Sequence, residues 1–348
     1  MRDACYTESE ILRDLRSFKP TIHISHYNPQ ALMDKVLTDN PEVLYYVQRM
    51  SGSIRIAPMG KMAEYTVSYV NTGVEPKCIT RARTVAEIEG AMHKSIGKYL
   101  GTLVVCVPAS LNVDRVYSDF LVAYQGFYSN LTEISSQVQS FAKYSVSFVT
   151  FKFKYRIGRV QLNIMEKAVD REVERLSHIL FAPEMSKEVK AYIAHNYLAR
   201  EVEYWLKEDA NPLEKSYMQS AYGALINHRC VCQGYAEAYK RLLNSQGIIC
   251  EVVCGKIRKS SEHHAWNVVS FDGRIYYHVD VTWDSPAGDG ISLEYFCKSD
   301  DYLNGSRIWT RCRDVYCSDS TDIMPIIRRQ VAMKKASFAA RGIEIKYL

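Results

Sequence analysis

Residues 230–286 read CVCQGYAEAYKRLLNSQGIICEVVCGKIRKSSEHHAWNVVSFDGRIYYHVDVTWDSP, and the elements they imply decide how the chain folds. Behind Cys232, residues Tyr235, Ala236, Tyr239, Leu242 and Leu243 recur at helical spacing, and Gly247 stands where a helix ends in the left-handed conformation. The Cys232 sulfur is therefore expected at the positive end of a helix dipole, which stabilises a thiolate. Residues 248–257 read as a buried strand. Strands over 264–271 and 274–283 follow, joined at Asp272-Gly273, a hairpin signal. His264 falls on the first and Asp280 on the second. A thiol nucleophile, its base and an orienting carboxylate thus fall on the helix and on the second and third strands that follow it.

The hairpin constrains the register. For Asp280 to meet the His264 ring, the two must lie on one face, opposite or diagonal, and side chains share a face only at the right pairing parity. Direct opposition of His264 and Asp280 pairs Ser270 with Arg274 and leaves the loop Phe271-Asp272-Gly273, with Gly273 left-handed. A regular two-residue turn would set His264 against Val281 and separate the three groups. The expectation is the three-residue loop or an equivalent bulge.

The segments Val231-Cys232-Gln233-Gly234-Tyr235-Ala236, His264-Ala265-Trp266-Asn267 and Asp280-Val281-Thr282-Trp283 resemble the transglutaminase-like superfamily. The resemblance covers 186–301, and Ser220 to Leu225 and the region of Tyr204-Trp205 also look like bacterial members. It implies a papain-like fold and a triad of Cys232 as nucleophile, His264 as general base and acid, and Asp280 as the residue orienting the imidazole. Cys230 departs from the glycine or small residue usual before Val-Cys, and Asn196 follows His195 where aspartate is common.

Such a triad would let a thiolate attack an amide carbonyl, with the imidazolium protonating the leaving amine and a thioester passing to water or another amine. The Cys232 amide is the natural first oxyanion donor, with Gln219 and Tyr222 as candidates for the second. Singly, each triad residue has a commoner structural reading: a buried thiol, a satisfied histidine, an aspartate bonded to nearby backbone. Their joint order on the expected elements favours the site.

Size and composition bound the rest. With 348 residues, two domains are the default. A hydrophobic content of 47% with mixed charge and 25 tyrosines fits a soluble globular chain and excludes disorder. No apolar run approaches a membrane span, and the charged start MRDACYTESEILRDL lacks a signal-peptide core, so a cytoplasmic location is expected. Ten cysteines without an export signal favour free thiols. Cys230 with Cys232, Cys250 with Cys254, and Cys312 with Cys317 lack the paired two-residue spacing of a zinc site, and His23, His26 and His263 add little. Asp284 and Asp289 are too sparse for calcium. No metal or cofactor is expected.

The net charge of +5 does not demand nucleic acid. Residues 151–159, FKFKYRIGR, could stack on a single strand of nucleic acid, but a half-buried strand with Lys152, Lys154 and Arg156 in solvent, guarding an exposed edge, reads better. The basic run 328–346 reads as a solvated face. Nucleic-acid and membrane partners are not expected; a protein or peptide substrate is. Oligomeric state is not encoded in any pattern here.

Upstream, 29–46 has helical character, 53–57 and 64–70 read as strands, and 84–100 is a helix with a Thr84/Glu87 capping box. A strand over 102–107, a helical stretch over 116–128 and strands through 144–157 follow. Residue identities do not establish a repeat. A helix over 162–180 leads to Ser186, which should cap a helix over 187–205. The loops around 209–212 and 256–262 should border a cleft. The fold class expected is α+β: a mixed N-terminal domain (1–165), a papain-like transglutaminase-fold domain (166–305, helical lead-in 166–185) and a C-terminal extension (306–348). The expected function is a thiol hydrolase or acyltransferase on peptide or side-chain amides, with a true protein-glutamine transglutaminase or a non-catalytic binding module as alternatives.

Overall fold

The computed structural model describes residues 7–57, 60–73, 79–116, 120, 130–285, 291–309 and 315–340. The chain forms two compact units, Met1–Phe120 with Glu133–Lys154 and Leu121–Thr132 with Tyr155–Leu348. The helical stretch expected over 116–128 falls almost wholly outside the described residues, as do Cys312, Asp289 and the end of the basic run.

In the first unit, α1 (Glu8–Arg16), β1 (Thr21–His26), α2 (Pro29–Asp39), a 3-10 turn (Pro41–Tyr46), β2 (Val47–Ala57) and β3 (Gly60–Tyr69) precede β4 (Ile79–Arg81), α3 (Val85–Gly97), β5 (Thr102–Pro108), β6 (Leu131–Phe141) and β7 (Val146–Tyr155). The sheets run β1-β3-β2 and β4-β5-β7-β6. Ile22, Ile24, Tyr65, Val104 and Phe148 share one core. Two expectations change. Thr84 Oγ1 accepts the Glu87 amide, but the Glu87 carboxylate turns to the Arg83 amide, so only half of the capping box forms. And β7 is an interior strand between β5 and β6, so its lysines guard no edge; Phe151 and Phe153 are buried while Lys154 pairs with Glu133 at 2.7 Å.

The second unit begins with α4 (Arg159–Leu180), whose Met165, Val169, Val173 and Leu176 form the expected buried stripe. Helix α5 (Lys187–Glu201) is capped by Ser186, whose Oγ accepts the Val189 amide. It stops earlier than expected: after Val202 the chain turns extended, and β8 (Glu203–Tyr204) pairs in parallel with β9 (Arg229–Cys230). Between them lie α6 (Pro212–Met218), opened by an Asn211–Glu214 capping box, and α7 (Ala221–Leu225). Helix α8 (Cys232–Asn244) then runs through the core and ends, as expected, before Gly247 at φ +67°. Strands β10 (Ile249–Ile257), β11 (His263–Ser270) and β12 (Tyr276–Val279) lead into the one-turn α9 (Val281–Asp284), α10 (Asp300–Asn304), β13 (Arg307–Trp309) and α11 (Met324–Ala340). The antiparallel sheet is ordered β12-β11-β10-β13. Tyr239, Leu242, Leu243, Val269 and Val279 join helix and sheet in one core, to which Ile327 and Val331 of α11 also belong. Helices and antiparallel strands are thus combined in an α+β fold.

Candidate active site

Cys232 is the first residue of α8, where the amides of the opening turn lack intrahelical acceptors. The approach to it is pinned by the Val231 amide, which donates to the Met218 carbonyl at 3.0 Å, and the Trp205 amide, which donates to Cys230 at 2.9 Å. Gly234 makes this close packing possible: a Cβ there would lie 2.5 Å from Cys230 Cβ and 2.9 Å from the Met218 carbonyl oxygen. Cys230 itself is fully buried, so the bulk it introduces before Val231 is absorbed by the bare backbone of Gly234. Cys232, by contrast, is partly exposed. Tyr204, half exposed, is held above its usual value by burial first, with Cys232, Cys230 and Glu262 adding to it.

His264 lies on β11 opposite Gly255, where a Cβ would meet the Ile308 carbonyl oxygen at 2.4 Å and the Trp266 ring at 2.8 Å. Its Nε2 is 2.7 Å from Asp280 Oδ2. The register that brings them together differs from the one expected. Ser270 pairs with Tyr276, Val268 with His278 and Asn267 with Val279, so the loop holds five residues, 271–275. Asp272 is the cause: its Oδ1 accepts the Arg274 and Ile275 amides, each at 2.8 Å, and holds both residues out of the ladder. Gly273 keeps the expected left-handed conformation at φ +80°. Because the shift is by two residues, parity survives, and His264 meets Asp280 diagonally. Nor is Asp280 inside a strand. It follows β12 as the N-cap of α9, where Oδ1 accepts the Trp283 amide at 3.2 Å and Oδ2 remains for the imidazole.

Both groups are buried, His264 at 7% exposure and Asp280 at 1%. Burial alone would raise the Asp280 carboxyl, but His264 and Arg307 beside it hold it below its usual value. Burial likewise opposes charge on His264; the Asp280 carboxylate, and after it Cys232, outweigh that and raise the ring to about 9. With Nε2 taken by Asp280, Nδ1 is the nitrogen left for the thiol proton. The Trp266 and Trp283 rings flank the imidazole at 5.9 and 5.7 Å.

Arg307 was not singled out by the sequence. It sits on β13, paired with Ile257 of β10, and its Nη2 donates to Asp280 Oδ2. An isolated arginine in a short strand carries no local signal; only the sheet pairing brings it to Asp280. The proposed oxyanion donors behave differently. Gln219 receives Arg156 Nη1 at 2.6 Å and Tyr222 stacks on Tyr217 at 4.9 Å, and neither hydrogen-bonds to Cys232, His264 or Asp280.

Asp284 is fully buried against His195 Nε2 at 3.0 Å and accepts the Tyr295 amide, so it is a structural acceptor. Asn196 Oδ1 meets the other His195 nitrogen at 3.2 Å, which gives the departure at that position a part in holding the ring. The side chains of His278, Asp300 and Cys317 offer ligand atoms within 4.8 Å of one another. They fit a metal poorly. Trp266 Nε1 donates to His278 Nδ1 at 3.0 Å, so the imidazole proton resides on Nε2, facing Asp300 at 2.8 Å, and the nitrogen a metal would need is protonated. The seven described cysteines are free thiols.

Residues 175–281 match the family model of the Transglutaminase-like superfamily, a span that closes just after Asp280 and holds all three site residues. Residues 175–281 thus resemble a transglutaminase-like core. Among solved structures it is similar to a TGase, at 11% identity and TM-score 0.30, over 66% of this chain and 64% of that one. It is also similar to a candidate cysteine protease from Cytophaga hutchinsonii, at 12% identity and TM-score 0.28, over 44% of this chain and 65% of that one. A candidate protease from Parabacteroides distasonis follows at 10% identity and TM-score 0.26, over 68% of this chain and 52% of that one. The chain thus spans less than two thirds of each of these structures, and the family assignment rests on the match over 175–281. No curated protein matches the chain. No helix among the described residues is long and apolar enough to cross a membrane.

Proposed function

We propose that the transglutaminase-like core is a thiol acyl-transfer catalyst, most simply a peptidase or amidohydrolase working in a reducing, cytoplasmic setting. The observation that carries this reading is the 2.7 Å contact of His264 Nε2 with a buried carboxylate, on a ring whose raised value Cys232, partly exposed at a helix N-terminus, also supports. His264 Nδ1 takes the Cys232 proton, and the thiolate attacks the amide carbonyl carbon. The Cys232 amide stabilises the oxyanion. As the tetrahedral adduct collapses, the imidazolium returns its proton to the leaving nitrogen, so that the C–N bond breaks and a thioester remains. Water, deprotonated by the now neutral His264, releases the acid and regenerates the thiol. Asp280 keeps the ring in the tautomer and orientation that both transfers require.

Five of the other described cysteines should not compete with Cys232. Burial, with Cys232 and Glu237 adding to it, pushes Cys254 to about 12, and Cys106, Cys230, Cys250 and Cys297 are buried with raised values. Iodoacetamide at neutral pH should therefore label Cys232 first, read by peptide mass spectrometry. Cys232→Ala should lose both that label and amide cleavage across a peptide library; cleavage retained by Cys232→Ala refutes the assignment. Adding a primary amine separates hydrolysis from transfer, since only transfer incorporates the amine into product.

A further inference from the structure

Arg307 is a buried cation that the acyl-transfer scheme does not use. Its residue is fully buried on β13, Nη2 donates to Asp280 Oδ2, and Nη1 donates to Ser306 Oγ at 2.9 Å. Nε makes no hydrogen bond among the described residues. Aromatic rings enclose the guanidinium, with Trp283 at 4.0 Å, Tyr295 at 4.5 Å and Trp266 at 5.6 Å from its carbon. Trp266 and Trp283 are also the rings that flank His264. The guanidinium and the imidazole therefore share one carboxylate oxygen and two aromatic walls.

A buried arginine with an unsatisfied Nε is a poor way to gain stability, since a hydrophobic side chain of similar volume often serves as well. Its geometry suits another task. Asp280 Oδ1 is tied to the Trp283 amide, and Arg307 fixes the direction of Oδ2, the oxygen that meets His264. We propose that Arg307 is a positioning residue for the reaction at Cys232, acting through Asp280 by aiming its carboxylate and sharing its negative charge with the imidazole. This rests on the acyl-transfer reading above.

The shared charge has a measurable consequence. The groups facing His264 are Asp280 from the end of β12, Cys232 from α8 and, through Asp280, Arg307 from β13; Tyr295 faces the guanidinium, and Cys254 of β10 with Glu237 of α8 lie near the thiol. With Arg307 in place, Asp280 divides its field between two cations. Without it, the whole carboxylate charge falls on His264, and the imidazolium becomes harder to deprotonate.

The test follows alkylation of Cys232 by iodoacetate as a function of pH. The anionic reagent is drawn by the imidazolium, so its rate falls as His264 loses its proton. In Arg307→Met that basic limb should move up by about one pH unit or more, the size of a full charge at contact distance in a moderately polar interior. Arg307→Lys, which keeps the charge but not the planar fork, should hold the limb in place and lower the plateau rate several-fold. An Arg307→Met limb that coincides with the wild-type limb overturns the proposal. If Arg307→Met does not fold, an unchanged plateau in Arg307→Lys overturns it. The underlying reading fails separately: His264→Gln would then leave the wild-type profile unaltered.

Discussion

Asp280 meets His264 across a diagonal of the β11–β12 ladder, with Nε2 and Oδ2 at 2.7 Å, although the strand residues pair two positions away from direct opposition. Parity, and not loop length, joins the two, because side chains alternate faces with a period of two. Deleting one residue from the loop 271–275 should turn Asp280 to the opposite face and abolish rapid alkylation of Cys232. Deleting Arg274 and Ile275 together preserves parity and should retain most of it. Equal labelling of the two deletion variants would sink the parity argument.

His264 ties stability to pH. Its pKa rises from 6.5 when unfolded to about 9 when folded, as Asp280 and Cys232 outweigh burial. The folded state therefore binds the proton more tightly than the unfolded chain. Its contribution is complete below about pH 6.5 and is lost as pH climbs through about 9. Urea midpoints should fall across that window in the wild type, and less in His264→Gln; parallel curves for the two would count against the coupling.

At Gly234 helix α8 closes tightly on Cys230 of β9 and on the Met218 carbonyl. Gly234→Ala must displace both the Cys230 side chain, 2.5 Å from the new methyl, and the Met218 carbonyl at 2.9 Å. Strain of this kind costs about 1–3 kcal/mol, and here it falls on the turn that carries Cys232. The expected result is a lower urea midpoint together with slower labelling of Cys232. Adding Cys230→Gly should return part of both, since it removes the side-chain half of the clash but not the backbone half.

The Trp266–His278–Asp300 chain bears on metals. Because the indole can only donate, His278 must present an N–H to Asp300, and a cation would have to expel that proton or break the indole bond. EDTA should leave the melting temperature unchanged, and micromolar zinc should not raise it. A zinc-dependent rise beyond about 2 °C would show that the cluster ligates after all.

Much of the site was legible beforehand because its signals are local. Helical spacing behind Cys232 and the glycine at 247 announced α8 and its polarity, and the buried run over 248–257 with the hairpin signal at Asp272-Gly273 announced β10 and the strand β11 that carries His264. Where expectation failed, the deciding contact was a side chain acting on backbone. Asp272 captured two amides and lengthened the loop, and Asp280, by capping Trp283, ended the strand thought to continue through it. The expected helix over 187–205 ended at Glu201 because 203–204 could pair with 229–230, residues distant in sequence.

What the sequence by itself determined is the order and type of the chemical groups: a thiol opening a helix, an imidazole on the second strand after it, and a carboxylate in the segment that returns beside it. Only the tertiary structure decided what surrounds that carboxylate. Arg307 reaches Asp280 through the pairing of β13 with β10, and the Trp266, Trp283 and Tyr295 rings close over the guanidinium from separate segments. Periodicity along a chain records which face a residue presents to its own element. It carries no information about which distant strand will lie beside that element, and the electrostatic surroundings of a buried group are made of those distant neighbours.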